Sequence, residues 1–551
     1  MLRISILALL AAALPAVQAP AFAADPCDTL VIPPGAGISG PSDVTALNFL
    51  LANSQMNQAV SGLLYAGLIS MDKNDQIDYF HSIATKIESF DQGKRYVVTM
   101  RPWLWSDRQP VTADDVLFTW ETIKKLGDNY VAAGEGGIPD LVDSVKQLNP
   151  EQFEVDLKSP ANPLWFELNG LGQLTPLPRH AWKNLTTDQL YENQSDPKFF
   201  QVVDGPYKIE SFVMGRSISF VPNPLYPLEH TPFKRMVFKF VNSDGAELQG
   251  IAAGELDLAN LPHEAWQYGS SVPNSHLVPM QPPFGYDYIG LNFKNPKVPF
   301  FSDLTVRQAI QDSIDQKTMI AALWHGFGVA GYGPVPAVPP TYLSPEAKAR
   351  QFRIGYDPAK AIALLEHDGY RPDPDGIRAK NGVRLEFTLI VPSGTSTTLM
   401  MAQMMQPDLR KSGILMHIQQ QDFNQMWANL IRHLSSWEAF ALEWSTSPFP
   451  SGETIFNTGG AFNFTGYSDP KMDQLIKDST DKPGLDALYQ YQDYATAQLP
   501  YIFLPETADD MLVHNGIGGV DRLITPAGGY NPQLLTLNRE ACHAAHAYHA
   551  R

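Results

Sequence analysis

Cys27 and Cys542 are the only two cysteines in a chain of 551 residues, and they stand near its opposite ends. In an oxidising compartment a pair placed like this is expected to be a disulfide, with two unpaired thiols on frayed ends as the other reading. A bridge would require both termini to lie in one domain. No other feature constrains the architecture so tightly.

The compartment is read from residues 1–23. Arg3 supplies a positive start, Ile4 to Ala13 is an apolar run, Pro15 breaks it, and Ala21-Phe22-Ala23 has the A-x-A form of a cleavage site. The run is too short to span a bilayer, which takes about 20 apolar residues. A secretory signal peptide cut after Ala23 is therefore expected. Cys27 follows Ala24-Asp25-Pro26 rather than a lipidation box, so no lipid anchor is expected. No later stretch is long and apolar enough to span, which predicts a soluble mature protein.

Losing 23 of 551 residues leaves 528, three or four times a typical domain of about 150. Losing Arg3 takes the formal charge from −18 to −19. That acidity argues against nucleic acid and anionic membrane surfaces, which attract clustered Lys and Arg. At 44% hydrophobic residues the chain can bury large cores.

Local patterns predict an α/β layer. Tyr96 to Met100 reads as a strand. Thr112 reads as the N-cap of a helix with Asp114 and Asp115 in its first turn, Val116, Trp120 and Ile123 on one face, and Gly127 closing it. Asp357-Pro358 opens another helix, which stops at Gly369. Val383, Leu385, Phe387, Leu389 and Val391 alternate as one strand; a Met-rich helix from Leu399 to Lys411 and a strand from Ile414 to Ile418 follow it, a βαβ order. The four methionines Met400, Met401, Met404 and Met405 read as core packing rather than as a flexible ligand surface. The proline-rich stretch 328–345 reads as an ordered surface loop.

Several site motifs fail on context. Gly326-Phe-Gly328-Val-Ala-Gly331 has dinucleotide-binding spacing, but follows a helix and runs into prolines, the reverse of what a pyrophosphate site needs. His263-Glu264 lacks the second histidine of a zincin. Cys542-His543-Ala-Ala-His546-Ala-Tyr-His549 could bring imidazoles together on a helical tail, yet no carboxylate is near in sequence, so it is read as a solvated tail. No cofactor and no metal is expected, and no nucleophile–base pair argues for an enzyme.

Six segments carry a family resemblance. They are Leu63-Leu64-Tyr65-Ala66-Gly67-Leu68, Arg101 to Val116 with Trp105-Ser106-Asp107-Arg108, Asp204-Gly205-Pro206-Tyr207, Gly254-Glu255-Leu256-Asp257, Val306-Arg307-Gln308-Ala309-Ile310, and Tyr356-Asp357-Pro358 through Leu365. Together, in order, they resemble the family 5 extracellular solute-binding proteins, the oligopeptide-, dipeptide- and nickel-binding components of ABC importers. Arg108 stands where the family pattern has glycine. The resemblance implies an α/β, two-lobed periplasmic-binding-protein fold (type II) with an extra subdomain inserted in lobe I. The segments map as 24–65, 205–285 and 505–551 for lobe I, 66–204 for the inserted subdomain, and 286–504 for lobe II. The implied role is a periplasmic, monomeric, non-enzymatic binder that closes on a small-molecule or peptide ligand. It would deliver the ligand to an inner-membrane ABC permease and its ATPases.

The implied ligand-binding positions are Asp43, Val44 and Thr45, from a segment expected to pair with peptide backbone in strand fashion; Tyr286 and Asp287 at a lobe crossing; and Arg432, Glu443, Trp444, Ser445, Thr446 and Ser447. The bland alternatives are that Trp444 merely walls the cleft, Arg432 sits in a surface ion pair, and the aromatics pack a hinge. Peptide binders of this family keep an amino-pairing aspartate three residues after the tryptophan. Here that place is Ser447, which predicts a cargo that does not depend on a free amino group. A peptide or peptide-like cargo is the first expectation; a conjugate, sugar, opine or metal chelate on the same fold is the second.

Overall fold

The structure, a computed structural model, describes residues 25–33, 44–52, 54–241, 243–261, 265–350, 355–393, 396–432, 436–507 and 510–549. Its strands sort by chain segment. Thr29–Ile32 pairs in parallel with Arg235–Lys239, followed outward by Ser217–Pro222 and Tyr207–Val213. Asp510–His514 runs antiparallel between Leu258–Leu261 and Ser275–Pro279. These two sheets bring the beginning, middle and end of the chain together as lobe I. Ala84–Phe90, Arg95–Met100, Gln152–Leu157 and Val142–Asn149 form a separate antiparallel sheet, that of the inserted subdomain. Lobe II holds a five-stranded sheet in the order Leu415–Gln421, Glu386–Pro392, Ala439–Ser445, Gly285–Leu291, Tyr501–Phe503. Among the described residues no helix is long and apolar enough to cross a membrane.

The core of lobe II shows why its βαβ unit forms. Phe387, Leu389 and Val391 are buried on Glu386–Pro392, and Met401 and Met405 of the helix Ser396–Lys411 pack into the same cluster, so the methionines are core residues. The returning strand Leu415–Gln421 lies parallel to Glu386–Pro392. Val383 departs from the expected continuous strand. Asn381 and Gly382 both take left-handed φ, 54° and 80°, and turn Val383 back onto Lys380 as a two-residue hairpin. Val383 is consequently exposed, and the buried strand starts at Glu386.

Helix ends follow their caps. Thr112 and Asp115 form a capping box at the start of Ala113–Leu126, and Gly127 closes it at φ 54°. Asp357 caps Pro358–His367. The quoted family motifs are largely structural. The indole N–H of Trp103 donates to the Asp204 carbonyl (3.0 Å), and the Asp204 carboxylate accepts from the Ala66 N–H (3.0 Å), holding together the two ends of the segment 66–204. Gly205 lies so close to the Leu63–Leu64 backbone that a Cβ would meet the Leu63 carbonyl at 2.6 Å. Arg307 donates from its buried guanidinium to the Gln498 and Phe301 carbonyls, at 3.0 and 2.7 Å.

The ends of the chain meet. Cys27 and Cys542 form a disulfide in lobe I, with Cα atoms 6.1 Å apart. The terminal helix Arg539–His549 is not a solvated tail. Cys542 and Ala545 are buried, His543 pairs with Asp25 at 2.8 Å, and the His546 ring lies 5.1 Å from that of His514. Folding thus supplies the carboxylate neighbours, Asp25 and Asp257, that the linear sequence lacks. The stretch 328–345 is likewise more than a surface loop: Val335, Ala337, Tyr342 and Leu343 are buried, the Ala337 N–H donates to Glu506 (2.8 Å), and the Tyr342 hydroxyl donates to the Asp75 carbonyl (2.9 Å) of the inserted subdomain.

Candidate functional site

The antiparallel pairing of Gly285–Leu291 with Ala439–Ser445 sets Tyr286 opposite Trp444 and Asp287 opposite Glu443. Because side chains alternate across a sheet, the aromatic pair takes one face and the two carboxylates the other. The aromatic face opens on a cavity of ≈ 290 Å³. Its wall includes Tyr286, Pro334, Trp444, Thr446, Ser447, the segment Pro450 to Ile455, and Tyr491. Asp287 and Glu443 do not line it. An aromatic chain leads away from Trp444 through Phe462 and Phe464 to Trp427, with ring centroids 5.3, 6.0 and 5.0 Å apart in turn. A second cavity of ≈ 400 Å³, lined by the segment 330–337, Gln492, Thr496 and Glu506, shares Pro334 with the first.

Past the strand, Thr446 donates both its N–H and its hydroxyl to the Phe284 carbonyl, each at 2.8 Å, which fixes the start of the loop. Ser447 donates its hydroxyl to the Glu135 carboxylate of the inserted subdomain. The next residue, Gly136, donates its N–H to Glu453 at 3.0 Å. Gly136 sits at φ 59°, and a Cβ there would meet the Asn169 backbone at 2.3 Å, so only glycine permits this approach. Asn169 itself exchanges two hydrogen bonds with the Phe449 backbone, at 2.9 and 2.8 Å. Asn162 adds donations to the Ser479 and Gly484 carbonyls, each 2.9 Å. The inserted subdomain therefore abuts lobe II along a continuous polar joint beside the cavity.

The electrostatics of this joint are unusual. Burial pushes the Glu135 carboxyl up, partly offset by Ser447. Burial also pushes Glu453 up to about 8; the Gly136 N–H opposes this and the charge of Glu135 adds to it. Burial holds the Tyr286 and Tyr491 phenols well above their ordinary value, so both stay protonated.

The expected positions fare differently. Asp43 lies outside the described residues, and Arg432 is known only as the last residue of the helix Phe423–Arg432. Val44 is buried. The N–H groups of Thr45 and Ala46 donate to the Asn57 side chain at 2.9 and 3.2 Å, and that of Leu47 to the Gln194 carbonyl at 2.7 Å. The N–H groups of Thr45, Ala46 and Leu47 are therefore spent inside the molecule. Ser445 accepts from Gln55 of lobe I, across the joint between lobes. Tyr286, Trp444, Thr446 and Ser447 share the cavity; Asp287 and Glu443 face away from it. Glu135, Glu453 and Tyr491 were not singled out from the sequence. The one local signal was a lone charge inside the glycine turn Gly134-Glu135-Gly136-Gly137, whose three glycines all take positive φ.

Comparison with known proteins follows the same lines. Residues 80–465 match the family described as bacterial extracellular solute-binding proteins, family 5 Middle. The oligopeptide-binding protein AppA of Bacillus subtilis is 27% identical over 492 residues, covering 86% of each chain. The solved structure of that protein in complex with a nonapeptide superposes with a TM-score of 0.73 at 22% identity, over 93% of this chain and 99% of that one. NikZ from Campylobacter jejuni in complex with Ni(L-His) superposes at 0.74 and 21% identity, over 93% and 100%.

Proposed function

The chain belongs to the bacterial extracellular solute-binding proteins of family 5, and on that premise we propose that it is the periplasmic binding component of an ABC importer with a peptide or peptide-like cargo. In this reading the solute enters between the lobes, and lobe II together with the inserted subdomain closes on it. The closed form is then handed to an inner-membrane permease and its ATPases. The observation that carries the reading is the cavity beside the polar joint, with Tyr286, Trp444, Thr446 and Ser447 in its wall. A ligand there gains by differential affinity for the closed form, which is all that closure requires. In this reading the molecule acts as a monomer, each copy holding its own cavity.

A second reading keeps the fold and role but changes the cargo to a small conjugate or chelate. It is favoured by the committed N–H groups of Thr45, Ala46 and Leu47.

Small-angle scattering tests closure. Purified protein titrated with tri-alanine should lose radius of gyration at saturation. An unchanged profile alongside calorimetrically measured binding would refute the closing mechanism. Absence of binding by any short peptide, with a bound small molecule found by native mass spectrometry, would select the second reading.

A further inference from the structure

We propose that Asp257, His514 and His546 form a binding site for a divalent transition-metal ion, zinc being the ion that the donor set suits. The site lies in lobe I, and none of its three residues lines the cargo cavity.

Strand pairing supplies the first two donors. His514 ends the strand Asp510–His514, and its N–H donates at 2.8 Å to the carbonyl of Asp257, the residue just before the strand Leu258–Leu261. Residues opposed in this way share a face of the sheet, and Asp257 Oδ1 stands 3.7 Å from His514 Nδ1. That gap exceeds a hydrogen bond and is close to the edge of about 3.3–3.5 Å that zinc bonds of about 2.0–2.1 Å give in a tetrahedron. The third donor comes from the end of the chain. Cys542 and His546 are four residues apart on the helix Arg539–His549 and so lie on one face of it. The bridge to Cys27 pins that face onto lobe I, and the His546 ring lies 5.1 Å from that of His514. One donor atom from each of the three residues lies within 4.8 Å of the others, a span that small side-chain rotations close onto a shared ion.

The carboxylate gives an independent indication. The Val31 N–H donates to Asp257 Oδ2 at 2.6 Å, and the Asp257 N–H donates back to the Val31 carbonyl at 2.7 Å. The residue is thus fixed at both ends, with Oδ1 presented to the imidazole, the kind of outer contact that orients a ligating carboxylate. Asp257 is only 6% exposed, and among the described residues no Lys or Arg pairs with it. A carboxylate buried without a cation is costly, and a divalent ion removes that cost. His514 is 1% exposed, while His546 is half-buried and opens the site toward solvent.

The donor chemistry selects the ion. Two imidazoles and one carboxylate suit zinc, with a water in the fourth position, whereas calcium and magnesium ask for a cage of oxygens. Two further groupings lie in the same region, Cys27 with Cys542 and His546, and Asp25 with Cys27 and His543. Each needs a thiolate, and the disulfide has consumed both sulfurs. His543 moreover spends its Nε2 on Asp25 at 2.8 Å. The bound ion fastens the terminal helix to the sheet one turn beyond the disulfide, joining three stretches of chain that are far apart in sequence.

The test uses the full chain with its disulfide intact, stripped of metal by EDTA. Calorimetric titration with zinc chloride should give one ion per chain with a Kd of about 1 μM or lower. Zinc at about 100 μM should raise the melting temperature by about 2–4 °C, reversibly with EDTA, and magnesium or calcium chloride should not. His546→Ala and Asp257→Asn should each weaken zinc binding by about tenfold or more, while His543→Ala should bind as wild type does. X-ray absorption of the zinc-loaded wild type should show nitrogen and oxygen neighbours at about 2.0–2.2 Å and no sulfur at about 2.3 Å. No zinc binding, sulfur around the ion, or loss of binding with His543→Ala but not with His546→Ala would each overturn the proposal. The wild-type titration and spectrum decide the matter even where Asp257→Asn fails to fold.

Discussion

Arg108 is a residue at which the chain accepts strain. It occupies the tight turn between the short strands Trp103–Leu104 and Pro110–Val111 at φ 71°, a left-handed value that costs a side-chain-bearing residue and suits glycine. The family pattern has glycine here, and the backbone shows why. Arg108→Gly is expected to raise stability by about 0.5–1 kcal/mol, read as a higher denaturant midpoint with unchanged slope. A lower midpoint would mean that the arginine side chain makes a compensating contact. Trp103, Gly205 and Arg307 make the same point: the motifs most visible in the sequence fix turns, crossings and buried donors. They report the fold faithfully and say little about what the cavity holds.

At the scale of elements, the turn Phe166–Gly170 controls the joint, because it carries Asn169 into a two-way hydrogen bond with Phe449. Asn169→Ala leaves a buried N–H and carbonyl unpaired whenever subdomain and lobe II meet, a cost of about 1–3 kcal/mol for each group. Affinity for any ligand that needs closure should fall by about tenfold or more. Calorimetry with tri-alanine, beside scattering to show that the variant stays more open, checks this; unchanged affinity would place Asn169 outside the closing step. Elements with strong local signals were legible: the Thr112 and Asp357 caps, the Met-rich helix, the parallel pair around it. Val383 was misassigned because a two-residue hairpin at Asn381-Gly382 looks like a continuation when only alternation is counted. The site was half legible. Trp444 and Ser447 sit on a strand and its loop, within reach of local reading, whereas Glu135 and Glu453 are 318 positions apart and meet only through folding.

Across the whole molecule the buried acids set the response to pH. Glu453 and Glu506 are raised to about 8, and Asp75, Glu167 and Asp257 to about 7, each chiefly by burial. A carboxyl raised in the folded state holds its proton more tightly folded than unfolded. Between its ordinary value near 4 and its raised value the folded chain binds more protons, so stability falls as pH climbs through that window. Asp28 and Asp156 are lowered, by Lys234 and Lys146 first, and their contribution is present above the ordinary carboxylate value and lost on acidification. The unliganded protein is expected to melt roughly 5 °C or more higher near pH 5 than near pH 8. A melting temperature that rises monotonically toward pH 8 would contradict the burial of these groups as acids.

The disulfide between Cys27 and Cys542 also imposes an order on events. A chain that emerges amino end first exposes Cys27 almost at once, yet its partner follows 515 positions later. Lobe I draws its strands from residues 29–32, 207–279 and 510–514, so it cannot be completed until the final stretch has arrived. The five-stranded sheet of the other lobe is built from 285–503 without interruption, and the subdomain sheet from 84–157. The two bodies that flank the cavity can therefore mature while the frame that joins them is still unfinished, and the last covalent bond to form is the one that makes the polypeptide a closed ring.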